Sequence, residues 1–224
     1  MNVSTTESKR VWRQWQLDAA KTQINNSFYK LPSPETLQQW RDTVADDFVF
    51  SLKASQYITH KKKFKDAQAT VSNLLERVNG LGEQLDVILF QLPPRWHCNP
   101  QRLRDCLAAL DPEYRYAFEF RDRTWHNSQV YDILAEHGVA FCLYDLGGYL
   151  SPKEVTADFV YLRLHGPQGD YQGQYDSQTL AGWAEAFSTW KKEGRDVYCY
   201  FDNDEHGYAA QDALRLQDMV KGDS

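Results

Sequence analysis

The chain has 224 residues, of which 42% are hydrophobic and 14% aromatic, a composition typical of a globular α/β domain and unlike that of a disordered chain. Its formal net charge of −6 argues against broad, non-specific binding to nucleic acid or to an anionic membrane surface. The opening residues lack the apolar core of a secretory signal and no stretch is long enough to span a membrane, so we expect one cytoplasmic domain over residues 1–224.

Short runs rich in β-branched and aromatic residues recur along the chain and predict buried strands. The predicted strands cover residues 22–25, 48–53, 87–92, 115–121, 139–145, 159–165 and 197–202. Stretches with apolar residues at helical spacing separate them, for example Leu180, Trp183, Phe187 and Trp190 before the last strand. Because strand–helix repeats join parallel strands through right-handed crossovers, the pattern predicts a parallel α/β sheet.

Charged residues stand at the carboxyl ends of these apolar runs. Glu119 and Arg121 end the fourth run, Asp145 the fifth, and Arg163 and His165 the sixth. Burying charge is costly unless the strand end opens into a polar pocket, and the mouth of a barrel of parallel strands provides one. Side chains two residues apart on a strand share a face, so Glu119 is expected beside Arg121, and Arg163 beside His165. We therefore expect an active site where the strand ends meet.

The basic residues at this mouth indicate a site for an anion. Arg offers a planar fork of donors to phosphate or carboxylate, and we assign Arg121, Arg163 and Lys53 to substrate binding. Neighbouring strand ends are expected to add polar contacts from Asn25, Gln91 and Asn203.

Titratable groups at the mouth form a predicted catalytic set of Glu119, Asp145 and His165, in which His165 titrates near neutral pH. An ion network that only fills the top of the barrel explains the same charges, and this alternative stays open. A divalent metal is a further alternative, because carboxylates and an imidazole on successive strands suit Mg²⁺, Mn²⁺ or Zn²⁺. Its ligands would be Glu119, Asp145, His165 and Asp202.

Two glycine-containing loops and one basic run flank the predicted mouth. The loop at 147–152 is expected at the mouth, and the longer loop at 166–175 is either a mobile cover over the site or an ordinary surface loop. The basic run at 61–65 is interpreted as a solvated helix start, with a patch for an anionic polymer as the alternative.

The cysteines and the motif content favour neither redox nor cofactor chemistry. None of the four cysteines stands in a Cys-x-x-Cys pair, and Cys142 and Cys199 lie inside predicted strands, so we expect structural roles. No dinucleotide-binding, Walker, zincin or serine-hydrolase motif occurs, so no cofactor is predicted beyond the metal alternative.

An ordered set of short motifs resembles the family called domain of unknown function 72, the YecE-like proteins. The motifs lie at 24–32 (INNSFYKLP), 53–54 with 58–60, 90–94 (FQLPP), 119–121 with Trp125, 161–166 (YLRLHG), and 201–204 (FDND) with Gly207 and Ala213. They follow the family's order over nearly the whole chain. The resemblance implies a TIM-like (β/α) barrel, and it implies no particular reaction.

The chain also departs from the pattern of this family. A first strand ending near Gly-Thr-Ser-Gly-Trp has no counterpart, so we expect an N-terminally truncated barrel with about seven recognisable parallel strands and exposed edges. The gap is expected to be filled by residues upstream of this sequence, by residues 1–18 or by a partner chain. Gln23, Asp202 and Asp212 stand where the family tends to carry Glu, Asn and Asn.

These observations lead to three functional hypotheses. The first is an enzyme of hydrolase or isomerase type acting on a phosphorylated or carboxylated substrate at the mouth. The second is a non-catalytic module that binds an anionic ligand or single-stranded nucleic acid, with the tyrosines of the two loops as stacking surfaces. The third is an inactive truncated form. The sequence predicts no membrane partner and leaves the oligomeric state open.

Overall fold

The computed structural model describes residues 21–222 as an alternation of strands and helices. The strands are β1 (Lys21–Ile24), β2 (Val49–Lys53), β3 (Leu85–Gln91), β4 (Arg115–Glu119), β5 (Ala140–Leu146), β6 (Tyr149–Leu150), β7 (Phe159–Leu164) and β8 (Asp196–Phe201). The α-helices are α1 (Pro34–Thr43), α2 (Ala67–Val78), α3 (Pro100–Leu107), α4 (Ser128–Glu136), α5 (Ser177–Lys192) and α6 (Tyr208–Gly222). Short helical turns cover Asn26–Phe28, Asn79–Gln84, Arg123–Trp125 and Glu205–Gly207, and a π-helical turn covers Tyr57–Lys62.

Seven of the described strands form one parallel sheet in the order β1-β2-β3-β4-β5-β7-β8, which curls into a nearly closed barrel. The predicted TIM-like barrel with seven parallel strands is therefore confirmed. The two-residue strand β6 was not predicted; it pairs antiparallel with the end of β5 through Gly147 and Gly148, both of which have positive φ.

Helix starts are fixed by local capping. Side chains of Ser33, Asn99, Asn127 and Asp176 each accept a hydrogen bond from the backbone N–H three residues later, at the starts of α1, α3, α4 and α5. Each cap is worth about 1 kcal/mol, and it fixes where the chain turns back along the sheet. The strand ends that carry the charged residues are thereby held in place.

The two faces of the sheet bury different sets of side chains. One compact cluster inside the barrel includes Leu89, Ala117, Cys142, Tyr161 and Tyr200. A much larger cluster on the other face packs the strands against the helices and the loops between them. Both faces are apolar, as expected for a parallel sheet that is covered on each side.

The barrel has a seam between β1 and β8, which are not paired with each other in the described part of the chain. Near this seam the Ser51 hydroxyl lies 2.6 Å from the Tyr200 hydroxyl and links β2 to β8 through their side chains. Gln23 on β1 is buried, and neither polar atom of its side chain has a hydrogen-bond partner among residues 21–222. The expected filling of the gap by residues 1–18 lies outside the described residues.

Candidate functional site

Strand alternation brings five charged or titratable side chains together at the carboxyl end of the barrel. Glu119 ends β4 and Arg121 follows it, Arg163 lies on β7 with His165 just beyond, and Asp202 follows β8. Each is on the interior face, two or four residues from an interior apolar side chain of the same strand, for example Tyr161 before Arg163. All five are buried to at least nine-tenths at the side chain.

Glu119 is the centre of this cluster. Its side chain is fully buried, the Arg121 Nε donates to Oε1, and the Arg163 guanidinium donates to Oε2 at 2.8 Å. Burial alone would raise the pKa of Glu119, but the two guanidiniums outweigh burial and hold it well below its usual range. Glu119 is therefore a permanent carboxylate near neutral pH, and it fixes the orientation of both arginines.

Arg163 joins three strand ends. Besides Glu119 it lies 2.9 Å from the Asp202 Oδ2, and its guanidinium donates to the Gln91 side-chain oxygen at 3.3 Å. Burial raises the pKa of Asp202, while the neighbouring Arg163 acts in the opposite direction and favours the ionised form. The Arg163 Nε is buried and has no hydrogen-bond partner among the described residues.

His165 is held as a neutral imidazole. Its Nε2 lies 3.0 Å from an Arg121 guanidinium nitrogen, and since a guanidinium only donates, Nε2 is the acceptor. The network therefore assigns the proton to Nδ1, which lies 3.3 Å from the Asp202 Oδ2. Burial, reinforced by Arg163, lowers the pKa of His165 well below its usual value. Near neutral pH this ring is a hydrogen-bond acceptor and a potential base.

Lys53 adds an amine at the end of β2. Its Nζ lies 4.2 Å from the centre of the Phe28 ring, and its backbone carbonyl oxygen lies 2.6 Å from the Ser27 hydroxyl. The pKa of Lys53 is lowered to about 8, chiefly by burial and then by the positive charge of Arg163. The amine is still mostly protonated at neutral pH.

The charges of this mouth do not balance. Within the five buried side chains the charges of Arg121 and Arg163 match those of Glu119 and Asp202, and the partly buried Lys53 adds one further positive charge beside them. An excess charge of this kind is costly in a partly buried setting and favours an anionic ligand.

The remaining predicted site residues divide between the mouth and the outer face. Gln91 joins the arginine cluster, and Asn25, just after β1, has a buried side-chain oxygen without a hydrogen-bond partner in residues 21–222. Asn203 faces outward instead, where its amide donates to the Asp212 carboxylate and to the Gly173 carbonyl, each at 2.9 Å.

Asp145 also lies apart from the cluster. It pairs in register with Leu164, which packs in the outer core, so its carboxylate faces away from Arg163. There Asp145 is half-buried beside the Tyr175 hydroxyl, and burial raises its pKa. The predicted grouping of Asp145 with Glu119 and His165 is not what the structure shows.

The geometry also bears on the metal alternative. Of its four proposed ligands, Asp145 faces the outer layer, while Glu119 and Asp202 lie against guanidiniums. Within residues 21–222, no group of three or more His, Cys, Asp or Glu side chains is arranged so that it could hold a metal ion.

Several neighbours of the cluster were not assigned to the site from the sequence. Asp202 was named only as a metal ligand, yet it is the second carboxylate on Arg163. The Cys142 thiol lies 3.9 Å from Glu119, and the Tyr144 ring lies 5.2 Å from the Arg121 guanidinium carbon. Tyr144 follows the interior residue Cys142 by two positions on the same strand, and this spacing could have placed Tyr144 on the interior face.

The loop after β7 covers the mouth. The exposed Tyr171 lies edge-on to His165, with 5.5 Å between ring centres. The loop is anchored by the Tyr175 hydroxyl, which accepts from the Gly166 N–H, and by the Tyr175 N–H, which donates to Asp212. Gly166 has a φ of +117°, and a Cβ there would collide with the backbone of Gln172. A cover over the site was one of the two predicted readings of this loop.

The basic run at 61–65 lies in and just after the π-helical turn that follows β2. Lys62 pairs with Asp66 at 3.0 Å, while Lys61, Lys63 and Lys65 are exposed. Among the residues described, no helix is both long enough and apolar enough to cross a membrane.

Comparison with known proteins places the chain in a family. The sequence profile of the family described as "Protein of unknown function DUF72" matches residues 20–224. UPF0759 protein YecE of Escherichia coli (strain K12) is 30% identical over 106 residues, which cover 43% of this chain and only 36% of that relative. UPF0759 protein YunF of Bacillus subtilis (strain 168) is 22% identical over 237 residues, covering 88% of this chain and 82% of the relative.

Two crystal structures have the same fold. A DUF72 family protein from Thermotoga maritima matches with a TM-score of 0.79 and 25% identity over 90% of this chain and 84% of the other. A DUF72 family protein from Enterococcus faecalis matches with a TM-score of 0.79 and 19% identity over the same shares. The profile match extends from β1 to the end of the chain. It includes every residue of the arginine–carboxylate cluster, which consists of Glu119, Arg121, Arg163, His165 and Asp202. The chain belongs to the DUF72 family.

Proposed function

We propose that the protein is an enzyme that binds a small phosphorylated or carboxylated substrate at the mouth of the barrel and catalyses its hydrolysis or isomerisation. The observation that carries this proposal is the excess positive charge at the mouth, where the two buried carboxylates, Glu119 and Asp202, face two buried arginines and the partly buried Lys53. A bound anion would neutralise that charge. Active sites of (β/α) barrels lie at this end of the strands, which supports the same conclusion by fold analogy.

The residues of the cluster have distinct proposed roles. Arg163 and Lys53 contact the anion, and the unpaired Arg163 Nε is a donor available to it. His165, neutral and fully buried, accepts a proton from the substrate or from water once its Nε2 is released from the Arg121 guanidinium. Glu119 positions Arg121 and Arg163, since a carboxylate held by two guanidiniums is too weak a base to take a proton near neutral pH.

The loop after β7 controls how a ligand reaches His165. Tyr171 stands over His165, so a substrate that reaches the imidazole must displace that ring or pass beside it. Closure of such a loop would exclude water from the arginine cluster and strengthen its electrostatic interactions. We propose no catalytic role for Asp145, because its carboxylate lies on the outer face of the sheet.

Thermal unfolding in the presence of anions tests the binding step. A ligand at about a hundred times its Kd adds about 2.7 kcal/mol, which corresponds to a rise of about 5–10 °C in the midpoint for a domain of this size. Inorganic phosphate, small phosphate esters and small carboxylates should raise the midpoint of the wild-type protein. Lys53→Met should lose that rise, whereas Lys62→Met, on the neighbouring turn, should keep it. If no anion moves the wild-type midpoint, the proposal is wrong.

Turnover is tested separately with the esters and carboxylates that bind. His165→Gln should abolish product formation while the anion still raises the midpoint of the variant. A fully active His165→Gln protein would overturn the proposed role of the imidazole.

A non-catalytic module for an anionic ligand or single-stranded nucleic acid is the second candidate. Three exposed tyrosines follow the carboxyl ends of β1, β2 and β7 and favour it: Tyr29, Tyr57 and Tyr171 are 75%, 48% and 49% exposed. Such rings offer stacking surfaces to bases. A module of this kind should show affinity that falls steeply with salt, and no product should form.

The cytoplasm is the proposed location. All four cysteines are free, and three of them are buried, which fits a compartment that keeps thiols reduced. Localisation of a tagged full-length chain by cell fractionation tests this proposal.

A further inference from the structure

Lys53 has a setting that an anion contact alone does not explain. Its half-buried stem leaves β2, and its amine lies over the face of Phe28. The Ser27 hydroxyl lies within hydrogen-bond distance of the carbonyl oxygens of Ile24 and Lys53, so the turn that carries Phe28 is tied to the ends of both β1 and β2. The aromatic ring is therefore fixed beneath the amine. No carboxylate among residues 21–222 forms an ion pair with Lys53.

The charged groups around this amine come from several elements. The groups that shift its pKa are Arg163 on β7, Glu119 and Arg121 at the end of β4, and Asp202 after β8. His60, in the π-helical turn, also lies near it, and the charge of Lys53 lowers the pKa of that ring. Burial and the two guanidiniums lower the pKa of Lys53, the two carboxylates raise it, and the balance is about 8. At neutral pH the fraction of unprotonated amine is thus about two to three hundred times that of an exposed lysine.

We propose that Lys53 is a catalytic nucleophile that forms an imine with a carbonyl compound carrying a phosphate or carboxylate group. This inference rests on the proposed function, and it narrows the substrate to aldehydes or ketones with an anionic group. A lysine desolvated beside other cations is the arrangement that activates an amine for attack on a carbonyl. Arg163 acts on the Lys53 amine through its charge and donates to Gln91 on β3, the strand beside β2, so it is placed to hold the anionic group.

The chemistry of this step balances without a further reactant. The lone pair of the neutral amine forms a C–N bond to the carbonyl carbon, and the carbonyl π electrons move to oxygen. Both amine protons leave with that oxygen as one water molecule, and the C=N bond remains. Uptake of one proton from water gives the iminium ion, which withdraws electrons from the adjacent carbon and promotes isomerisation there.

Reductive trapping tests the imine on the wild-type protein. Pyruvate and dihydroxyacetone phosphate, as carboxylate and phosphate probes, are each incubated with the protein and sodium cyanoborohydride, and modified peptides are quantified by mass spectrometry. For at least one probe, Lys53 should be modified at least about tenfold faster than the exposed Lys61 near neutral pH, because more of its amine is unprotonated. Inorganic phosphate should suppress modification of Lys53 and leave Lys61 unchanged. Lys53→Arg should remove the trapped product, and Lys61→Arg should not.

The failures of the two proposals are distinguishable. Lactate and glycerol 3-phosphate have the anionic groups of the probes but no carbonyl, and their effect on the unfolding midpoint reports anion binding alone. If they raise the midpoint while Lys53 is modified no faster than Lys61 by either probe, the imine is wrong and the anion site stands. If neither anion raises the midpoint and Lys53 is not modified selectively, both proposals are wrong. Selective modification that phosphate does not suppress would overturn the anionic substrate class.

Discussion

Replacing Glu119 with Gln is the sharpest test of the arginine–carboxylate cluster. The fully buried carboxylate accepts from Arg121 and Arg163, and Gln keeps its shape while removing its charge. Removing one partner of a buried ion pair costs about 3–5 kcal/mol, because the charges left behind are uncompensated. One amide oxygen of Gln still accepts, so we expect the lower end, about 3 kcal/mol. That loss corresponds to a fall of about 6–12 °C in the unfolding midpoint.

Chemical denaturation measures this loss, and Glu136→Gln is the matched control. Glu136 pairs with Arg104 at 3.0 Å, but both side chains are about half exposed, so its loss should stay below about 1 kcal/mol. The pH dependence adds a second check. The folded pKa of Glu119 is depressed, so its contribution is present above the unfolded value of about 4.3 and is lost as the pH falls below it. The gap between wild type and Glu119→Gln should therefore narrow at acidic pH. A loss below about 1 kcal/mol at pH 7 would refute the buried ion network.

Three further predictions follow from neighbouring features. Because burial depresses the pKa of His165, the free energy of unfolding of the wild type should decline as the pH falls below about 6.5, by up to about 1.4 kcal/mol per pH unit. Urea titrations of His165→Gln should show a flatter decline with pH. Equal dependence of the unfolding free energy on pH in the two proteins would contradict this prediction. Cys98, the partly exposed thiol, should be alkylated by iodoacetamide in the native protein well before the three buried thiols, and mass spectrometry would reveal any other order. Gly166→Ala should lower the free energy of unfolding by about 1–3 kcal/mol, because the added Cβ would meet the Gln172 backbone. Gly182→Ala, in open space on α5, should be neutral or stabilising. Similar denaturation midpoints for the two variants would show that the backbone at Gly166 tolerates a Cβ.

The strands were predictable because a parallel sheet buried on both faces leaves near-continuous apolar runs in the sequence. The same property makes it hard to tell from the sequence which face of the sheet each side chain points to. In β5, Cys142 and Tyr144 point inward while Leu143 and Asp145 point outward, and all but Asp145 are apolar or aromatic. No polar alternation marks the interior face there, so the position of Asp145 at the strand end was a poor guide to its direction.

Other parts of the site were predictable to different degrees. Period-two alternation placed Glu119 with Arg121, and Arg163 with His165, and the structure adds the contacts between the two pairs that only the sheet register creates. The hairpin of β6 was missed although the two-residue Gly-Gly loop before Tyr149 is a recognised hairpin signal.

The excess positive charge at the mouth is the strongest argument against the alternative that these charges form an ion network that only fills the top of the barrel. A buried ion network is weak evidence for stability, since apolar side chains of similar volume are often as good or better. A network selected only for packing has no physical reason to retain one excess cation or an unpaired buried donor such as the Arg163 Nε. It also has no reason to keep His165 neutral among charges beneath a tyrosine that covers it. The extra cation and the unpaired buried donor each cost folding free energy, and an anion bound beside Arg163 and Lys53 would relieve both. The cluster is therefore better explained as a preorganised binding site than as a structural plug.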